Sequence, residues 1–280
     1  MAAKIELSVR NVAFELGDEI PRAWHGGRRA VTLFFNNLSI FFPAGERFFI
    51  HAVRAHQELL TDPALRSDVN AFCGQEGIHS REHAAYNAML ARQGYPVAEM
   101  EARVQRILNR VMRFASPRRQ LAATCALEHF TALLANFVLD DPRTLEGAHP
   151  ELARLWRWHA AEENEHKAVA FDVYLAAQGS WPRRCVVMLV STGIFWFKVA
   201  EQQVRLMKHD GILFSPREWA ALLGFLFVSP GAMRRLVVPY LRYFAPGFHP
   251  WDIDNRALLQ RWREEFERSS AYRKPAARGL

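Results

Sequence analysis

Cysteine is scarce in this chain, with three residues among 280. Cys73, Cys125 and Cys185 lie far apart in apolar or helical contexts, and no CxxC or regular spacing links them. Buried free thiols in a reducing cytoplasm are therefore expected, and a thiol nucleophile is disfavoured. Signatures of several common enzyme classes are missing as well: there is no GxSxG elbow, no phosphate-cradling GxxxxGK(S/T) loop and no GxGxxG after a strand. Long apolar runs are also lacking. CVVMLVSTGIFWF (185–197) and ALLGFLFV (221–228) both fall short of the ~20 residues that span a bilayer, which argues against a transmembrane helix. The N-terminus, MAAKIELSVRNVAFEL, has no apolar core of the signal-peptide kind, and its alternation of apolar and polar residues predicts a short strand. A cytoplasmic location is expected. No low-complexity tract appears.

What is present is a set of six residues in four places: Glu46, then Glu76 with His79, then Glu128, then Glu163 with His166. Read as i and i+3 on a helix, each Glu-x-x-His puts both side chains on one face. Four packed helices could then aim four carboxylates and two imidazoles at one point, the ligand set of a dinuclear metal site in a four-helix bundle. Glutamates bridge two cations and offset their charge, while neutral imidazole suits iron, manganese or zinc over magnesium or calcium. Single Glu and His residues are more often solvated charges on helix surfaces. The order weighs against that here, with 30 residues from Glu46 to Glu76 and 35 from Glu128 to Glu163. Each gap is what one helix, a turn and half of the next helix consume.

Several neighbours compete. His83 lies one turn beyond His79 and is a candidate seventh ligand or a donor behind the ligands; His159 stands in the mirrored place, one turn before Glu163. Glu162, four residues before His166, is a rival to Glu163, and the three-residue spacing of the other motif favours Glu163. Tyr86 falls on the same stripe as an outer phenol or a core tyrosine. His129 would point about 100° away from Glu128, toward packing or the surface.

The stretches FFPAGERFF (41–49), QEGIHSREHAAYN (75–87), ALEHFTA (126–132) and WHAAEENEHKAVAFDVY (158–174) resemble a bacterial family of predicted metal-dependent hydrolases. The motif order resembles the ferritin-like di-iron carboxylate superfamily. That resemblance implies an all-α, ferritin-like four-helix bundle, two bound metal ions with iron favoured over manganese or zinc, and either oxidation or hydrolysis. Nothing in the residues singles out hydrolysis.

Periodicity organises the rest. Residues 1–28 read as an N-terminal extended segment, 29–180 as the bundle, 181–268 as additional apolar and basic helices, and 269–280 as a disordered tail, with extra helices flanking the bundle at both ends. Arg29 to Phe42 is apolar; Pro43 interrupts or kinks it before Ala44 to Leu60, which places Glu46 near a helix start. Helices are predicted over 62–93, 97–114, 117–139 and 150–178. Half of the residues are apolar, enough for one large core.

Charge is lopsided. Residues 181–280 hold 16 Lys and Arg against 8 Asp and Glu, a net of +8, whereas residues 1–180 hold 20 against 21, a net of −1. The apolar runs flanked by arginine either pack on the bundle or touch anionic lipid, through which an apolar substrate would enter. No nucleic-acid module is recognisable. A homodimer is compatible with this reading. The leading functional expectation is a di-iron enzyme that activates O2 to oxidise an apolar organic substrate; the alternatives are hydrolysis by a metal-bound hydroxide and a non-catalytic metal-binding bundle.

Overall fold

Pro43 does not end the first helix. In the computed structural model, which describes residues 5–269, α1 runs unbroken over Arg29–Arg54 with Pro43 inside it. Proline has no N–H to give the carbonyl four residues back, Ser39 O. Asn87 Nδ2 on the facing helix donates to that oxygen at 3.3 Å. Glu46 consequently sits in the second half of a continuous helix, not near a helix start as the sequence suggests.

The fold is all-α. Asp62 caps α2 (Pro63–Arg92), its carboxylate accepting from Ala64 N at 2.9 Å, and Gly94 at φ +91° follows the helix end. Then come α3 (Val97–Phe114) and α4 (Pro117–Asp140). The predicted helix over 150–178 is two, α5 (Pro150–His166) and α6 (Val169–Ala176). The break at Lys167 coincides with a polar anchor: its buried ammonium donates to Ile253 O at 2.6 Å and Asn255 Oδ1 at 2.9 Å. The chain ends in α7 (Trp181–His209), α8 (Pro216–Phe227), α9 (Ala232–Arg242) and α10 (Arg256–Arg268). α1 packs on α2 and α4, and α5 packs on α4 and α2, so these four helices close a ring around a common axis. α7 lies across α4 and α1, and α8 covers the start of α1.

No strand and no helix precedes α1 among the described residues. The alternation in the N-terminal segment is real, but its inward residues meet helices instead of a second strand. Val12, Phe14 and Leu16 are buried, and Phe14 lies 5.4 Å from Trp158 ring to ring. Backbone groups find side chains in place of a ladder: Phe14 N donates to Glu82 Oε2 at 3.1 Å and Glu15 N to Glu151 Oε1 at 2.6 Å. Residues 1–4 of the expected extended segment, and 270–280 of the expected tail, lie outside the described residues. Cys73 and Cys125 are buried and Cys185 is half-buried, all three as free thiols.

Helix length corrects the reading of the apolar runs. α7 continues well past both ends of 185–197, and by length and composition α4, α7 and the α8–α9 stretch could each cross a bilayer. α4 is largely buried inside the fold, whereas only 17% of the most apolar window of α7 is.

Candidate metal centre

One residue from α1, two from α2, one from α4 and two from α5 meet inside the ring, all fully buried: Glu46, Glu76, His79, Glu128, Glu163 and His166. Ligand atoms of Glu46, Glu76 and His79 lie within 4.8 Å of one another, and so do those of Glu76, Glu128 and His166. Glu76 belongs to both groups. Glu163 also reaches both ends, its Oε1 lying 3.4 Å from His79 Nδ1 and 3.6 Å from His166 Nε2. The arrangement is two donor clusters sharing a pair of carboxylates, the shape that holds two cations side by side.

The donor atoms lack partners within the protein. Both oxygens of Glu46, Glu76 and Glu128, together with Glu163 Oε2, His79 Nδ1 and His166 Nε2, have no hydrogen-bond partner. His166 Nε2 approaches Glu76 Oε1 at 3.1 Å without hydrogen-bond geometry. Burial of so many orphaned polar atoms is costly unless something positive fills the gap. Without metal, protons do so. Burial, reinforced by Glu76, pushes the Glu46 and Glu128 carboxyls well above the usual range. Burial opposes ionisation of His79 and His166 as well, but the surrounding glutamates win, holding His79 up to about 10 and His166 well above its ordinary value. Glu163, despite its burial, is held well below the usual range by His166, His159 and His79. Metal ions binding here displace those protons. The residues present thus fit a pair of cations with an O/N shell.

Each imidazole is oriented from behind. His79 turns Nδ1 to the cluster and gives Nε2–H to Glu162 Oε2 at 3.0 Å. His166 turns Nε2 inward and donates from Nδ1 to Gln75 Oε1 at 3.0 Å. Glu162 thus stands behind a donor of the cluster, not among the cluster's own atoms. One guanidinium anchors both arms: Arg10 donates to Glu162 Oε1 at 3.0 Å and to Glu165 Oε2 at 2.7 Å, and Glu165 Oε2 accepts from Gln75 Nε2 at 3.2 Å. Arg263 on α10 also donates to Glu165, at 2.7 Å. Such partners fix ring plane and tautomer.

Of the two flanking histidines, His159 is the nearer to the donor cluster. His159 Nε2 has no hydrogen bond, lies 3.2 Å from Glu163 Oε1, and shares a 4.8 Å cluster with His79 and Glu163. His83 stands behind it, Nε2 to His159 Nδ1 at 2.9 Å, while its Nδ1 meets Ser39 Oγ at 2.9 Å. Ser39 passes its own proton to Asn87 Oδ1 at 2.9 Å, so the relay is consistent when His159 carries its proton on Nδ1 and keeps Nε2 free. Burial, then the positive field of His79, lowers His159 to about 4, which keeps that nitrogen a donor to metal at neutral pH. His83 also contributes ligand atoms to a cluster with Glu46 and His159. Tyr86 points away and donates to Asn36 Oδ1 at 2.7 Å, a core role. His129 packs on Tyr243, 4.9 Å ring to ring.

Sequence reading missed Arg10, Gln75, Glu165, Ser39 and Asn87. Gln75 and Glu165 carry a local signal, since each immediately precedes a donor residue of its motif. Arg10 carries none, because it is 152 residues from Glu162.

Apolar space adjoins the centre. Phe42 stacks on His159 at 4.7 Å, and a cavity of about 60 Å³ reaches His159 past Phe42, Thr131 and Trp156. No curated protein and no solved structure matches this chain. A family model described as "Predicted metal-dependent hydrolase" does match, across residues 8–254, a span that holds Arg10 and all the clustered Glu and His residues, though not Arg263. The chain belongs to the family of predicted metal-dependent hydrolases.

Proposed function

We propose that this protein is a dinuclear iron enzyme that oxidises an apolar organic substrate with O2. The observation that carries the reading is the convergence of four carboxylates and three imidazoles, with donor atoms unpartnered, in a buried core beside an apolar cavity. Iron held there by Glu46, Glu76, His79, Glu128, Glu163 and His166, with His159 as a seventh donor, supplies the redox chemistry; manganese or zinc would suit the same donors. The chain's own part is positioning and exclusion. Glu162 and Gln75 hold His79 and His166 in plane, and Glu76 and Glu163 span the two donor clusters. Phe72 and Trp158 cover the imidazoles of His166 and His79, each 4.9 Å ring to ring, and keep bulk water away from the centre. Phe42 walls the cavity at His159, where an apolar substrate would approach.

Hydrolysis is the second reading, favoured by the family's description. Its demand for a water at the centre is harder to meet behind this apolar packing. Loading the purified protein with Fe(II) without air, counting metal per chain and following absorption as O2 is admitted separates the two. Two irons per chain and an O2-dependent band in the near-ultraviolet or visible are expected. Two metals with no response to O2 would overturn the oxidative reading in favour of ester or amide hydrolysis.

A further inference from the structure

The outer side of α7 is an apolar stripe. Val186, Leu189, Val190, Ile194 and Phe197 recur at helical spacing and are 46–65% exposed. α9 adds Val237, Val238 and Leu241, 52–62% exposed. The two helices are tied by Thr192 Oγ1 and Tyr240 OH, 3.0 Å apart. An apolar patch spanning two helices needs a partner. The segment that carries it is basic: residues 181–245 hold nine Lys and Arg against three Asp and Glu, a net of +6, and Arg234, Arg235 and Arg242 of α9 are exposed. A second copy laid on this face would bring like charges together, whereas anionic headgroups complement them. The inner side of α7 is fixed to the fold, with Asn37 Nδ2 donating to Val199 O at 2.8 Å and Gln203 Nε2 to Ala30 O at 3.0 Å. Lys198, Glu201 and Arg205 lie along its second half. Such a helix lies on a bilayer surface and does not cross it.

The same face opens inward. A cavity of about 130 Å³ lies between α1, α3, α4 and α7, and Ile194 belongs both to its wall and to the exposed stripe, with Lys198 and Ser191 beside it. The rest of its wall is almost entirely apolar, including Phe48, Val104 and Leu127. Phe42, Thr131 and Phe195 are shared with the smaller cavity that reaches His159. Two apolar cavities thus lie in succession between the α7 face and His159, with Phe42, Thr131 and Phe195 as their common wall.

We propose that the α7–α9 face seats in an anionic bilayer and that a single-chain amphiphile, a fatty acid or fatty-acid derivative, enters from it between α3 and α7 with its chain toward His159. The substrate class rests on the proposed function; seating on lipid does not. The basic rim holds the headgroup while the chain exchanges one apolar surrounding for another, so no large desolvation barrier opposes entry.

The test uses the full-length protein, with metal content counted, floated with vesicles of phosphatidylglycerol and phosphatidylcholine or of phosphatidylcholine alone. Expected is flotation with the anionic vesicles at low salt, at least tenfold weaker with neutral vesicles, and tenfold weaker again for Val190→Glu with Phe197→Glu at unchanged helix content and metal count. Laurate should bind the soluble protein, and Ala123→Phe, which narrows the cavity, should weaken laurate at least tenfold and leave flotation untouched. Absence of flotation at low salt, or a wild-type dimer that the glutamate pair converts to monomers, overturns the lipid assignment. Flotation without laurate binding overturns the entry path. An O2-inert centre in a protein that floats and binds laurate would sink the proposed oxidation alone, because neither assay needs turnover.

Discussion

Arg10 is the residue on which the centre's geometry converges from outside. Its guanidinium is the common partner of Glu162 and Glu165, both fully buried as side chains, and those two carboxylates lie behind His79 and Gln75. Removing it leaves buried charge without its main partner, a change that costs about 3 kcal/mol or more. Arg10→Ala is therefore expected to lower unfolding stability by that amount and weaken metal binding 10–100-fold, read by chelator competition. A wild-type affinity in the variant would mean the imidazoles hold their planes unaided. A second residue-scale effect concerns pH. Burial, then Arg28, whose guanidinium donates to Nδ1 at 2.7 Å, lowers His25 to about 4. The unfolded chain takes that proton near pH 6.5 and the folded one declines it until about 4. The stabilisation is complete above 6.5 and is lost as pH falls toward 4, about 3 kcal/mol in all. Urea titrations across that range should show a shallower acid loss for His25→Gln than for wild type. That the six residues lie together was legible in sequence because helical spacing is a local code. Their supports were less so, since a partner 155 residues away leaves no periodic trace.

At the scale of elements, α1 owes its continuity to a neighbour. Pro43 strips Ser39 O of its helical donor, and Asn87 on α2 replaces it while also accepting from Ser39 Oγ. Asn87→Ala should cost about 2 kcal/mol by leaving buried groups unpaired. In a Pro43→Ala background the backbone N–H returns and the same change should cost less, with a coupling of about 1 kcal/mol in a double-mutant cycle. Equal costs in the two backgrounds would show that Asn87 does not compensate for the proline. This contact is why reading Pro43 as an interruption fails: local propensity forbids the helix and a tertiary donor restores it. The break between α5 and α6 is the reverse case. WHAAEENEHKAVAFDVY reads as unbroken helix, and only the burial of Lys167 against Ile253 and Asn255 marks the interruption. Asp62, Gly94 and the α3 and α4 ends were legible because caps and stops act within a few residues.

For the whole molecule, the buried cluster of carboxylates and imidazoles bears on stability as well. Four buried carboxylates around two imidazoles repel one another or must take up protons, so the metal-free fold carries a cost that cations remove. Metal at a hundredfold excess over its dissociation constant adds about 2.7 kcal/mol. Thermal unfolding should therefore shift upward by about 5 °C or more on anaerobic loading, and a chelator should reverse it. Glu128→Ala should abolish the shift while retaining helical content, and a variant that still gains it would remove Glu128 from the ligand set. The basic, apolar last third was visible in composition, but the cavities behind it were not, because a cavity belongs to no single segment. The N-terminal strap has one more consequence. During synthesis the stretch that carries Arg10 emerges first, yet its carboxylate partners follow about 150 residues later on α5, and Arg263 later still. The earliest part of the chain must wait for almost the last before the clasp behind the histidines can close. A nascent chain that ends before α5 therefore has neither the clasp nor Glu163 and His166.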